Sequence, residues 1–242
     1  MTHTLPDYTT KYKLAKIFGN VDNAELAARL GACSTLDRRG NTIWYDDFEG
    51  GAAIKWTTQV SGAGTVAVVD TRAWMGSHSM ATVTGALLND FAYFIKGFSL
   101  PIEREMGAEV MFHIAGGKPL VGLRLVGATG TVVATGKIKY DHNDKKIYYY
   151  TTGGAWVELT RVDDVLFNHE NWIYLKLVVD WDKGEYVRFI FGSTTYSMAG
   201  IPLFRVGSVT DIFINVYITI DALSAAVATV YWDNFVLTQN EP

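Results

Sequence analysis

Two acidic stretches raise the question of chemistry. YDDFEGG, residues 45 to 51, offers Asp46, Asp47 and Glu49; WDNFVL, residues 232 to 237, offers Asp233. Carboxylates at both ends of one long segment suit a catalytic pair, a metal site, or strand ends in water. The histidines do not choose among these. His78, His113, His142 and His169 are dispersed without metal-ligand spacing, and they read as ordinary surface histidines. The strings H-E-x-x-H, G-x-S-x-G and the phosphate-binding glycine loop are absent. Cys33 is the single cysteine, so no intrachain disulfide forms, and it reads as a buried, inert thiol.

The elements that must position these groups are β-strands. At 242 residues with 13% aromatic and 19% charged residues, the chain has the makings of a large apolar interior and is not a disordered segment. A net charge of −4 without a basic block argues against a nucleic-acid partner. The N-terminus is polar and lacks the apolar core of a secretory signal. No apolar run reaches the length of a membrane span, so no membrane insertion is expected. Synthesis in the cytoplasm without a signal peptide is the expectation, with a virion or particle surface as the destination.

Residues 1–42 differ from the rest and read as an arm. Within it, DNAELAARLG predicts a short helix over about 23–31, with Asp22 as N-cap, Glu25 three residues on, and Gly31 as the stop. Residues 43–242 read as one β domain. Short runs of β-branched and aromatic residues alternate with Gly, Asp and Asn turns, and hairpins are signalled at 141–145, 152–155 and 180–186. About a dozen such strands predict an all-β antiparallel sandwich or barrel.

Alternation assigns faces. Ile212, Ile214, Val216, Ile218 and Ile220 share a core side, as do Ile173, Leu175, Leu177 and Val179, then Val187, Phe189 and Phe191, then Val110, Phe112 and Ile114. The second face carries Trp172, Tyr174, Lys176, Tyr186, Arg188, Arg124, Phe213, Asn215 and Tyr217. Its aromatic, amphipathic character suits a sugar platform, because rings stack on pyranose faces while polar groups fix hydroxyls. It equally suits a protein interface. It would instead lie inside another layer on any strand whose alternation slips by one residue.

DDFEGG with Trp56, GSHSM at 76–80 and the terminal YWDNFVL resemble the pattern of jelly-roll carbohydrate-binding modules. The stretch NWIYLKLVVDWDKGEYVRFIFGSTTYSM is similar to concanavalin A-like and laminin-G-like sandwiches. The resemblance covers residues 43–239 and implies a jelly-roll β-sandwich with adjacent first and last strands. It also implies a structural calcium between those strands, held by Asp47, Glu49 and Asp233 with loop carbonyls near Gly76 and Ser77. The bland alternative is that these acids cap strand ends in solvent.

The E-x-D-x-x-E strand of glycosidases on this fold is missing, and Glu109 is the only acid placed in mid-strand on the second face. The expectation is therefore not an enzyme. It is a non-catalytic, self-associating structural protein of a phage or virus-like particle: capsid, decoration or tail-associated. A glycan-binding module for attachment is the alternative. A glycoside hydrolase or lyase stands behind both.

Overall fold

Alternating residues with branched or aromatic side chains cannot bury one stripe as a helix; they bury one face of a sheet. In the computed structural model, which describes residues 37, 39–99, 104–130, 132–162, 171–207 and 211–242, they do so in sixteen strands. The first eight in chain order are β1 (Asn41–Asp46), β2 (Thr57–Val60), β3 (Thr65–Val69), β4 (Ser79–Val83), β5 (Phe91–Phe98), β6 (Glu105–Gly116), β7 (Pro119–Thr129) and β8 (Val133–Asp141). They are followed by β9 (Lys146–Tyr150), β10 (Trp156–Arg161), β11 (Ile173–Asp180), β12 (Glu185–Phe191), β13 (Thr194–Ser197), β14 (Phe204–Val206), β15 (Ile212–Ala222) and β16 (Thr229–Gln239). One 3₁₀ turn, Ala53–Lys55, joins β1 to β2. The expected arm helix, Cys33 and His169 lie outside the described residues.

The strands form two eight-stranded antiparallel sheets. Sheet I runs β13-β12-β11-β6-β16-β4-β3, with β1 also on β16. Sheet II runs β10-β9-β8-β7-β15-β5-β2, with β14 also on β8. The architecture is the jelly-roll sandwich expected, and the first and last strands pair through Asp46 and Phe235. All three signalled hairpins form. In the first, Asp141 Oδ1 accepts the amides of Asn143 and Asp144 at 2.9 and 3.0 Å, which closes the β8–β9 turn.

The core lies between the sheets. Leu175, Leu177 and Val179 of β11 meet Ile214, Val216, Ile218 and Ile220 of β15 in one apolar cluster. Ile212, at the strand end, is exposed. Trp56 anchors one end, 4.8 Å from Phe94 and 5.1 Å from Phe235 in edge-on contacts.

One facing assignment reverses. The β11–β12 register slips between Val178 and Val179, so Val179 pairs with Tyr186 and skips Val187. A bulge of one residue inverts the alternation of everything before it. Tyr186 therefore enters the core, and Val187, expected inside, is only half-buried and outside the core cluster.

Candidate functional site

The nine residues assigned to a single second face divide between the sheets. Trp172, Tyr174, Lys176 and Arg188 stand on the outer side of sheet I, and Tyr186 is in the core. Arg124, Phe213, Asn215 and Tyr217 stand on the outer side of sheet II. No single platform contains all nine, because alternation tells sides of a strand apart without telling which sheet the strand joins.

In the sheet I group Tyr174, Lys176 and Arg188 are buried and Trp172 is half-buried. Tyr174, Met111 and Ile190 form a small apolar cluster with Trp172 packed against it. Lys176 Nζ lies 3.2 Å from Glu109 Oε2 and 2.8 Å from Glu241 Oε1, and the Arg188 guanidinium meets the other Glu241 oxygen. A charge excluded from water requires such partners, so this face holds a structural ion network and not a sugar platform.

The acids at the first and last strands are brought together in part. β16 pairs with β4 through Thr229–Trp232 and with β1 through Phe235–Gln239, on the same edge. Asp233 and Asn234 occupy the gap where the partner changes. Asn234 is left-handed at φ 48°, and the register against β6 shifts there. The irregularity turns the buried Asp233 carboxylate to the loop before β4, where it accepts the amides of Trp74 at 2.7 Å and Met75 at 3.1 Å. Glu49 takes the next amides of that loop, Ser77 at 2.8 Å and His78 at 2.7 Å.

Their environments differ. Burial pushes the Asp233 carboxyl up to about 6 against its three amide bonds, and the charge of Glu49 adds to the rise. The His78 amide, with the Ser77 donors, holds Glu49 down at about 2. Asp47 does not join them: its oxygens accept the Tyr45 hydroxyl and the Glu49 amide. Among the described residues no three His, Cys, Asp or Glu side chains assemble as a metal site. For the calcium expectation the fit is partial, with two carboxylates and the Ser77 hydroxyl at one loop.

Asp46, left out of that set, is buried and accepts the Trp56 indole N–H and the Lys55 ammonium, each at 2.9 Å. It fixes the turn that seats Trp56 in the core.

The outer face of sheet II carries a cleft of about 290 Å³. Its floor is Gly122, where a Cβ would collide with the Thr219 hydroxyl on the neighbouring strand. Phe91 and Tyr93, stacked at 5.4 Å, line it with Tyr217, and Trp156 lines it too. Arg124, Lys137, Lys139 and Asp221 supply its charges. Each cation lies over a ring: the Arg124 guanidinium 4.5 Å from Tyr217, Lys137 Nζ 4.1 Å from Tyr150, and Lys139 Nζ 4.3 Å from Trp156.

The strands place these groups by register. Arg124 of β7 pairs with Tyr217 of β15 on one side and Lys137 of β8 on the other. Beneath them Tyr186 reaches across from sheet I; its hydroxyl accepts the Lys137 amide at 2.9 Å and lies 2.8 Å from the Tyr150 carbonyl. Burial raises the Tyr186 phenol to about 12, so it stays protonated. Burial, then the charge of Arg124, lowers the Lys137 pKa. Burial also lowers Lys139 against the pull of Asp141 and Asp221, and raises Asp221 against that of Lys139.

Sequence reasoning found Arg124 and Tyr217 here, and missed Lys137, Lys139, Tyr93, Trp156 and Asp221. The signal was present: in GKIKYD, Lys137 and Lys139 alternate with the core residues Ile138 and Tyr140. It is legible only once β8 is known to lie beside β7.

No family model matches the chain, and no curated protein does. Solved structures do resemble it. An endo-β-1,4-glucuronan lyase from the fungus Trichoderma reesei matches with TM-score 0.58 and 11% identity, covering 83% of this chain and 96% of its own. A cellulose-induced protein, Cip1, matches with TM-score 0.55 and 18% identity, covering 81% and 97%. The laminarinase catalytic domain of Thermotoga maritima matches with TM-score 0.53 and 10% identity, covering 85% and 100%.

Two expectations are corrected by these neighbours. The particle-assembly reading has no counterpart among them, and nothing supports self-association. The exclusion of enzymatic activity rested on a missing glycosidase string, yet a lyase and a laminarinase share this architecture. At these identities the likeness is one of fold, the two-sheet antiparallel jelly-roll sandwich.

Proposed function

We propose that this protein binds polysaccharide in the cleft on the outer face of sheet II. The carrying observation is the composition of that cleft: Tyr93, Tyr217 and Trp156 line an open floor at Gly122, with Arg124, Lys137, Lys139 and Asp221 among them. Rings take up the apolar faces of sugars, and charged and hydroxyl groups fix their substituents. The likeness to a glucuronan lyase, a cellulose-induced protein and a laminarinase supports a carbohydrate ligand on this fold.

The test is affinity electrophoresis through gels containing neutral or acidic polysaccharides. The full chain should be retarded by at least one polymer. Trp156→Ala and Tyr217→Ala should each weaken the retardation about tenfold, as loss of one stacking or pocket contact of 1–2 kcal/mol implies. Variants that run like the parent in a retarding gel would place the site elsewhere.

A further inference from the structure

We infer that the row Tyr217–Arg124–Lys137 cleaves a uronate-bearing polysaccharide by β-elimination. The inference rests on the glycan-binding reading of the cleft and names its substrate class and chemistry.

Charge pairing within the molecule points to the substrate. Buried Lys176 and Arg188 are matched by Glu109 and Glu241, and Lys55 meets Asp46. In the cleft, Arg124, Lys137 and Lys139 are half-buried, yet among the described residues none forms an ion pair, and Arg124 Nε is buried without a hydrogen-bond partner. The rings beside them offset only part of the cost of removing a cation from water without a counter-charge. Three such cations on adjacent strands, facing one carboxylate in Asp221, form a site short of anions. A glycan whose sugars carry carboxylates supplies them, and Arg presents the planar fork that pairs with a carboxylate.

The same census selects the reaction. Hydrolysis by the two-carboxylate route needs an acid and a base or nucleophile, both carboxyl groups, flanking one bond. Asp221 is the only carboxylate lining this cleft. Elimination needs no carboxylate from the protein. It needs the C6 carboxylate of the uronate neutralised, a base for the C5 proton, and an acid for the departing oxygen.

Register puts these three together. A uronate carboxylate held by Arg124 lies between the strand that carries Lys137 and the strand that carries Tyr217. Lys137, in its unprotonated form, takes the C5 proton on Nζ. The electron pair of that C–H bond becomes the C4=C5 double bond, the C4–O4 bond breaks, and the Tyr217 hydroxyl gives its proton to O4. One fragment ends in an unsaturated uronate and the other in a new hydroxyl. No water or cofactor is consumed, and the proton on Lys137 returns to the Tyr217 phenolate. The lowered Lys137 pKa increases the share of neutral amine.

The experiment incubates the full chain with polyglucuronate, alginate and polygalacturonate, with laminarin as the neutral control. It reads ultraviolet absorbance of the conjugated product, reducing ends, and binding in parallel. Absorbance should rise with at least one polyuronate and not with laminarin. Lys137→Arg keeps the charge but removes the base, so binding should persist while cleavage falls about a hundredfold or more. Lys137→Gln should lose cleavage as well, and melting curves check that both variants fold. Binding of polyuronates without absorbance from any, or reducing ends without absorbance, would overturn elimination and leave the binding reading standing. Failure to bind any polymer would remove both. Undiminished cleavage by folded Lys137→Arg would overturn the role of Lys137.

Discussion

Lys176 Nζ and Glu241 Oε1 stand 2.8 Å apart with both side chains fully excluded from solvent. Glu241 also meets the Arg188 guanidinium and the Thr238 hydroxyl, so one carboxylate ties the residues after β16 to β11 and β12. Glu241→Ala leaves two cations buried with fewer partners. It should cost about 3–5 kcal/mol of folding stability, read from urea unfolding. A loss below about 1 kcal/mol, the range of an exposed ion pair, would show that water reaches the network.

Asp233 predicts a pH dependence of opposite sign to that of an ordinary paired carboxylate. Its pKa is about 6 in the folded protein and near 4 in an unfolded chain. Between these values the folded state holds a proton that the unfolded state has released, so this group makes stability fall as pH rises from about 4 to about 6. Asp233→Asn should flatten that portion of the curve, measured by thermal melts with chelator present. A parent curve that rises steadily through this window, unchanged in the variant, would show that the carboxylate is not raised.

Calcium is a separate prediction at the same loop. We propose that Glu49 and Asp233 hold one calcium ion with the Ser77 hydroxyl, tying the first strand, the last strand and the loop between. Calcium should raise the melting temperature, and a chelator should reverse the rise, by the linkage of binding to folding. Glu49→Gln should abolish the response and Asp47→Asn should not, since Asp47 turns to Tyr45 and the Glu49 amide. Superimposable melts in calcium and in chelator would remove the ion.

Gly122 predicts a separation of binding from folding. A side chain there meets the Thr219 hydroxyl and then rises into the cleft. Gly122→Leu should cost about 1–3 kcal/mol as an overpacking change while abolishing polysaccharide retardation. A folded variant that binds like the parent would show that the floor of the cleft is not the sugar's path.

Tyr186 links the sheets to the site. Tyr186→Phe removes the acceptor of the Lys137 amide and the hydroxyl beside the Tyr150 carbonyl. Stability should fall by about 1–3 kcal/mol, and polysaccharide binding should weaken because the Lys137 segment carries cleft residues. Unchanged binding in the presence of the stability loss would confine the hydroxyl to a structural role.

The amino-acid sequence alone determines the architecture, because alternation and turn chemistry are local. Ile214 to Ile220 bury one side of β15 whatever lies beside it, and Asp141 closes its own hairpin through amides two and three residues away. The acids beside β1 and on β16, and the loop near Gly76 and Ser77, were legible as neighbours through the resemblance; that the loop meets the acids with the amides of Trp74, Met75, Ser77 and His78 was not. What the tertiary structure decides is which strands become neighbours. A period of two separates the sides of a strand but carries no label for the sheet it will join, so Tyr174, Lys176 and Arg188 looked equivalent to Arg124 and Tyr217. A one-residue bulge opposite Val179 sufficed to move Tyr186 from the surface to the core. The cleft arises in the same way: Lys137, Arg124 and Tyr217 are 13 and 93 residues apart along the chain, and only the register of β8, β7 and β15 sets them opposite one another on adjacent strands.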